Sequence, residues 1–143
     1  MKMVSRRAFD SMEDLKFREK YPELKTLDPW VGQVGKNHPY SILDEKGTYI
    51  GVGIIYNLDY AKSEAELGVS INNKPYWGKG YGTVALRFLI ETCRVSGIKR
   101  VYTKVAEGND RALFHEQKAG MKQYGKSVID GVSFILLEQY LII

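Results

Sequence analysis

The segment Tyr76-Trp77-Gly78-Lys79-Gly80-Tyr81-Gly82-Thr83 places glycine at every second position between an apolar, strand-like run and a strongly amphipathic stretch. Glycine leaves backbone amides uncovered and permits positive φ, so successive N–H groups can turn inward on an anion at a helix N-terminus. That is the chemistry of a nucleotide-bearing cofactor held by its phosphates. Spacing narrows the choice. A Walker loop needs Ser or Thr directly after Gly-Lys, whereas Gly80 follows Gly78-Lys79. A dinucleotide fingerprint needs G-x-G-x-x-G, whereas Gly78, Gly80 and Gly82 run G-x-G-x-G, with Thr83 in the place of the last glycine. A loop that only turns the chain is the competing reading, and the neighbouring sequence has to decide.

Downstream, Leu86, Leu89, Ile90 and Cys93 recur at i, i+3, i+4 and i+7, an apolar stripe for docking on a sheet. This predicts a helix over 83–96, stopped by Gly97 in a left-handed conformation. Its N-terminal dipole aims at the glycine loop and adds about 0.3 to 2 kcal/mol per bound charge. Lys79 brings a mobile cation, with Lys74 and Arg111 as further candidates for phosphate contacts. Solvated surface is the ordinary fate of each.

The remaining pattern predicts strands over 40–43 and 49–57 around Asp44-Glu45-Lys46-Gly47, and a third over 64–71. A fourth covers 100–105, followed by a helix over 110–119 ending at Gly120. An Asp130-Gly131 turn then leads into a strand over 133–141. Near the N-terminus, Ser11 with Asp14 could cap a helix over 11–24, although Pro22 complicates its end. The order fits one mixed α/β domain over residues 1–143, a length able to bury roughly two thirds of its unfolded surface.

No apolar run approaches the roughly 18 residues that cross a bilayer, and Met1 to Arg7 lack the hydrophobic segment of a secretion signal. The expected compartment is the cytoplasm. The single cysteine, Cys93, falls on the apolar stripe and reads as a core thiol. His38 and His115 have no ligand spacing around them, so no metal is expected. A net charge of +4 with both signs interspersed does not call for a nucleic-acid partner.

Three separated segments resemble one family in order and spacing: Glu66-Leu67-Gly68-Val69-Ser70-Ile71 with the glycine loop, Asn109-Asp110-Arg111-Ala112-Leu113 with Gly120-Met121, and the Asp130-Gly131 hairpin. They are similar to the GNAT superfamily of acyl-CoA N-acyltransferases, nearest in pattern to its ribosomal-protein and small-amine acetyltransferase branch, over about residues 39–143. The resemblance implies an α/β fold whose mixed central sheet splays two neighbouring parallel strands between flanking helices. It implies acetyl-CoA as cosubstrate, without metal, and direct transfer of an acetyl group to a primary amine of a small molecule, a protein N-terminus or a lysine. Val69 and Ile71 match the backbone positions that hold the thioester arm. Trp77, Gly78, Lys79, Gly80, Tyr81, Gly82 and Thr83 match the pyrophosphate loop, and Asn109 the side chain that bonds the pantetheine arm. Asn109 or Asp110 could equally cap the following helix.

Two positions depart from the family pattern. Trp77 replaces the usual Gln or Arg, which leaves amide-based phosphate binding intact. Glu116 stands seven residues after Asn109, where many members carry a tyrosine that protonates the departing thiolate. A thiol of pKa about 8.5 leaves readily, which softens the loss. Glu116 can donate a proton only if burial raises its pKa; His115 and Tyr124 are other stand-ins.

Amine acetylation needs a base, because an ammonium has no lone pair. At pH 7, deprotonating a lysine-like amine costs about 4.6 kcal/mol and an α-amino group about 1.4 kcal/mol. Strand alternation puts Glu64 and Glu66 on one face and Ala65 and Leu67 on the other, so both carboxylates point away from the apolar layer. Glu66, in the Glu-Leu-Gly segment, is the candidate base, with a solvated strand carboxylate as the alternative. Backbone amides near Val69 would polarise the thioester carbonyl.

Two other readings stay open: a noncatalytic acyl-CoA-binding module, and a ribosome- or RNA-associated protein suggested by the basic balance. Acceptor recognition falls to the first 38 residues in this family, where Asp10, Glu13, Asp14 and Glu19 form an acidic cluster that also reads as a solvated helix face. Tyr49, Tyr56, Phe88, Tyr102 and Phe134 read as core, while Trp30, Tyr40 and Tyr81 could line an acceptor tunnel. The terminal strand could end at an exposed edge or pair with a second copy in a homodimer.

Overall fold

β-branched and aromatic runs with period-two alternation become strands, and the one long apolar stripe becomes the helix that covers them. The computed structural model describes residues 1–5 and 37–142. The helix expected over 11–24, the acidic cluster and Trp30 lie outside the described residues. The strands are β1 (Lys2–Ser5), β2 (His38–Leu43), β3 (Tyr49–Asp59), β4 (Glu64–Ile71), β5 (Arg100–Ala106), β6 (Lys122–Ile129) and β7 (Val132–Tyr140). Helix α1 (Tyr81–Val95) joins β4 to β5, and α2 (Asp110–Lys118) joins β5 to β6.

The sheet runs β1-β2-β3-β4-β5-β7-β6, and β4 with β5 is its parallel pair. This is the expected mixed sheet. The short β1, paired antiparallel with β2, has no counterpart in the sequence reading. α1 begins two residues before the expected start, because Gly80 takes the N-cap at φ 88°; Gly97, at φ 85°, ends it as expected. The C-terminal strand was expected as a candidate edge, but β7 inserts between β5 and β6. Among the described residues the sheet therefore has β6 and β1, not β7, at its edges.

Leu86, Leu89, Ile90 and Cys93 are buried, against Ala65 and Leu67 of β4, Val101 and Val105 of β5 and Leu137 of β7. Burying each such side chain contributes about 1.5–3 kcal/mol, so this layer is the main tie between helix and sheet. Phe88 departs from expectation: it is 38% exposed and meets Tyr40 edge-on at 5.3 Å.

β4 and β5 pair over only three rungs, Glu64↔Arg100, Ala65↔Val101 and Glu66↔Tyr102. Beyond them β4 follows β3, as far as Gly51↔Ile71, while β5 follows β7, as far as Ala106↔Phe134. The parallel strands part at Glu66. Gly51 lets β3 hold the far end of β4, because a Cβ there would lie 2.2 Å from the Ser70 carbonyl oxygen. Gly51→Ala should therefore push β4 off its partner and destabilise the fold by about 1–3 kcal/mol, the usual cost of overpacking. Urea unfolding measures it; an unchanged midpoint would show that β4 yields without cost.

Candidate active site

The glycine loop is short of side chains by composition and is held in place by its neighbours. Pro75 starts a 3₁₀ turn over Lys74–Tyr76, and Gly78 (φ 77°) and Gly80 (φ 88°) carry the chain into α1. No side chain caps Gly80, so the first N–H groups of α1, from Tyr81 to Thr83, have no acceptor within their helix. A Cβ at Gly78 or Gly80 would meet nothing within 4 Å. The backbone there is open to whatever enters.

Three interactions moor this loop. The Tyr76 hydroxyl donates to Asp44 Oδ2 at 2.6 Å, the Tyr81 hydroxyl to Glu45 Oε2 at 2.6 Å, and Trp77 Nε1 to the Ile71 carbonyl at 2.8 Å. The Tyr76 hydroxyl, with the Thr48 and Lys46 amides, holds the Asp44 carboxyl below its ordinary range. Glu45 pushes the Tyr81 phenol up to about 12. The β2–β3 turn thus anchors the loop from below.

A cleft opens between the loop, the far end of β4 and the start of α2. Of the residues expected to hold a cofactor, Val69, Ile71, Trp77, Gly78, Gly80, Tyr81, Gly82 and Asn109 line it. Lys79 and Thr83 do not line it. Lys79 Nζ sits over the Tyr76 ring at 5.8 Å. Thr83, 3% exposed, turns inward and meets His115 Nδ1 at 3.1 Å. The cation that does line the cleft is Arg111, stacked 3.3 Å from the Trp77 ring centroid, while Lys74 lies over the same ring at 5.7 Å. Asn109 lines the cleft and caps α2 as well, its Oδ1 accepting from the Ala112 amide at 3.3 Å.

Glu66 occupies the last rung before the strands part and faces away from Ala65 and Leu67, as alternation requires. It is not solvated, however. At 5% exposure it accepts from the Tyr56 hydroxyl at 2.6 Å and from Asn57 Nδ2 at 2.9 Å, with Lys104 Nζ at 3.6 Å. Burial and the adjacent Glu66 carboxylate drive the Tyr56 phenol far above its ordinary value. Glu64 has a different partner set: Arg100 bridges it at 3.1 Å to Glu138 at 2.9 Å. Tyr56 and Asn57 were not anticipated as site residues. Their signal was the Tyr56↔Glu66 pairing, together with a bulge that leaves Asn57 at φ 49°.

Glu116 projects from α2 into the cleft wall. Its Oε2 and the neighbouring Thr103 Oγ1 are both buried without a hydrogen-bond partner. Burial pushes the Glu116 carboxyl up to about 7, which the nearby Thr103 hydroxyl offsets only in part. Burial, followed by Arg111 and Lys118, pushes the His115 imidazole the other way, below its ordinary value. Tyr124 lies elsewhere, its ring 5.4 Å from the Arg100 guanidinium. Among the described residues no three His, Cys, Asp or Glu cluster as metal ligands, and no helix is long and apolar enough to cross a membrane.

A carboxyl raised on folding stabilises the fold fully below its unfolded value, near 4.5, and loses that contribution as pH rises through about 7. The parent protein should lose about 1–3 kcal/mol more than Glu116→Gln between those pH values. Urea midpoints measured across the range check this. Parallel curves would mean that Glu116 ionises without penalty.

A family model described as an acetyltransferase (GNAT) domain matches residues 9–122. Among solved structures, the fold is similar to a chimera of spermidine N-acetyltransferase SpeG from Vibrio cholerae and hSSAT. That likeness has 17% identity and a TM-score of 0.74, and covers 98% of this chain and 96% of the other. It is also similar to spermidine N-acetyltransferase from Vibrio cholerae in complex with CoA and spermine, with 16% identity, coverage of 96% and 95%, and a TM-score of 0.73. No curated protein sequence matches. The structural likenesses speak for the fold, while the family model spans most of the sequence, including the parted strands and the glycine loop. The chain belongs to the GNAT family of acetyltransferases.

Proposed function

We propose that the protein moves an acetyl group from acetyl-CoA directly to an aliphatic primary amine, with Glu66 as the base. One observation carries this reading: β4 and β5 part at Glu66, with an open amide cradle on the helix side and a buried, hydrogen-bonded carboxylate on the other. Acetyl-CoA fits the cleft, because the N–H groups at the start of α1 lack helical acceptors and Gly78 and Gly80 present no side chain. Trp77, Tyr81 and Gly82 belong to the same cradle. Lys79 serves as a nearby mobile cation, and Thr83 supports the cradle through His115. Val69 and Ile71 offer backbone groups on the gap side of β4, and Asn109 borders the cleft opposite them.

The acceptor approaches from the Glu66 face. Tyr56 and Asn57 fix both oxygens of Glu66, which takes the ammonium proton through water. The freed amine nitrogen then attacks the thioester carbonyl carbon; the C–N bond forms, and the C–S bond breaks with its electron pair going to sulfur. Backbone N–H groups near Val69 polarise the carbonyl during attack. Spermidine and spermine in the names of the structural neighbours support a cationic amine as acceptor class. The cytoplasm is the proposed compartment, on the grounds given by the sequence.

Gly80→Val should weaken acetyl-CoA binding by about 100-fold or more, since it fills the cradle and forces a β-branched residue to positive φ. Calorimetric titration with acetyl-CoA, CoA and ATP reads this, and unchanged affinity removes the cradle. Glu66→Gln should leave acetyl-CoA affinity within about twofold and lower kcat by about 10²–10⁴-fold, most at acidic pH, where the amine is most protonated. Thiol release over an amine panel measures it; a pH profile matching the parent places the base elsewhere, and a parent that binds acetyl-CoA yet acetylates no amine is a noncatalytic binding module.

A further inference from the structure

The sulfur that leaves the acetyl group carries away an electron pair, and the cleft wall offers few protons to meet it. The Tyr76 and Tyr81 hydroxyls are directed to Asp44 and Glu45, each at 2.6 Å, and the Ser70 hydroxyl to Asn72 Oδ1 at 3.0 Å. His115 Nδ1 is engaged with Thr83, and burial, followed by Arg111 and Lys118, pushes its imidazole below the ordinary value. Glu116 differs from all of these. It lines the cleft, and its Oε2 is enclosed with no hydrogen-bond partner. An ionised oxygen in that position is costly, whereas a protonated carboxyl keeps a proton in hand for a negative charge that arrives.

The groups around Glu116 leave its Oε2 without a hydrogen-bond partner. Thr103 of β5 is beside it but completes no hydrogen bond. Tyr56 of β3, which senses its charge, stays a neutral phenol. The nearby cations are occupied: Arg111 stacks on Trp77, Lys118 lies over Phe114 and Lys104 faces Glu66. Glu66 itself is tied to Tyr56 and Asn57 on the opposite face of β4.

We propose that Glu116 is the general acid of this enzyme, a carboxylic acid in the cleft wall that protonates the departing thiolate. The role rests on the acetyl-transfer reading above. As the C–S bond breaks, the Glu116 proton moves to sulfur, giving the free thiol of CoA and a Glu116 carboxylate. The primary ammonium gives up two protons in becoming an amide N–H. One restores Glu116 through water, and the other is released to solvent by way of Glu66. The two carboxylates thus act on opposite sides of the opening between β4 and β5.

The experiment compares Glu116→Gln with the parent protein, using acetyl-CoA and an amine that the parent acetylates. Expected is acetyl-CoA affinity within about threefold and a kcat lowered on the order of 10- to 100-fold below pH 7, small for acid catalysis because a thiol leaves readily. The kcat ratio of variant to parent should climb toward one above about pH 7, where the parent's own acid is spent; taking the ratio cancels titration of the amine. A ratio independent of pH, or a kcat equal to the parent's, overturns the donor role alone. Carbon-detected NMR titration of glutamate-labelled protein supplies an arm independent of turnover. A Glu116 carboxyl that titrates in the ordinary glutamate range overturns the assignment. A parent inert toward every amine overturns acetyl transfer itself, and the donor role with it.

Discussion

Everything distinctive in this molecule depends on two parallel strands that stay paired for three rungs and then separate. Separation is tolerable because each strand has another neighbour. β4 continues its ladder with β3 and β5 with β7, so each keeps half its backbone bonded. Beyond Glu66, β4 has no pairing with β5. An extended thioester arm, itself a chain with amide groups, is the kind of ligand such an edge accepts. The proposed binding slot is therefore the place where these two strands part.

The charges follow from that geometry. On the helix side, the N-terminus of α1 and the unencumbered loop amides make a region suited to phosphate, while Arg111 and Trp77 close its rim. Asp44 and Glu45 lie beneath, but Tyr76 and Tyr81 absorb them in hydrogen bonds, so these carboxylates brace the loop without opposing the anion directly. Across the sheet, Glu66 is held by Tyr56, Asn57 and Lys104. Glu116, in the cleft wall, has no comparable support. The two carboxylates thus have opposite environments, one rich in hydrogen-bond donors and one poor.

Trp77 and Glu116 show how a substitution within a family is accommodated. The Trp77 indole bonds the Ile71 carbonyl and stacks against Arg111, so it secures the loop to β4 and places a guanidinium at the cleft. Glu116 occupies a position where the resemblance leads one to expect a phenol. A carboxyl is a weaker match in ordinary water, but burial beside Thr103 changes its proton affinity to about 7. The surroundings, not the residue type, decide whether it can act.

The amino-acid pattern alone determined the approximate positions of β2 to β5, the α1 stripe and its Gly97 stop, and the glycine loop at the head of α1, since these depend on local period and backbone freedom. It also placed Glu66 opposite the apolar layer, because alternation along a strand is a local property. What it could not determine was whether that carboxylate meets water or Tyr56, which depends on a cross-strand register and a bulge at Asn57. Nor could it distinguish Arg111 from Lys79 as the cation at the cleft, or find that β7 runs inside the sheet with β6 at its edge. Above all, only tertiary structure encloses the Glu116 oxygen, for desolvation is produced by distant segments converging on one atom, and no window of neighbouring residues contains that information.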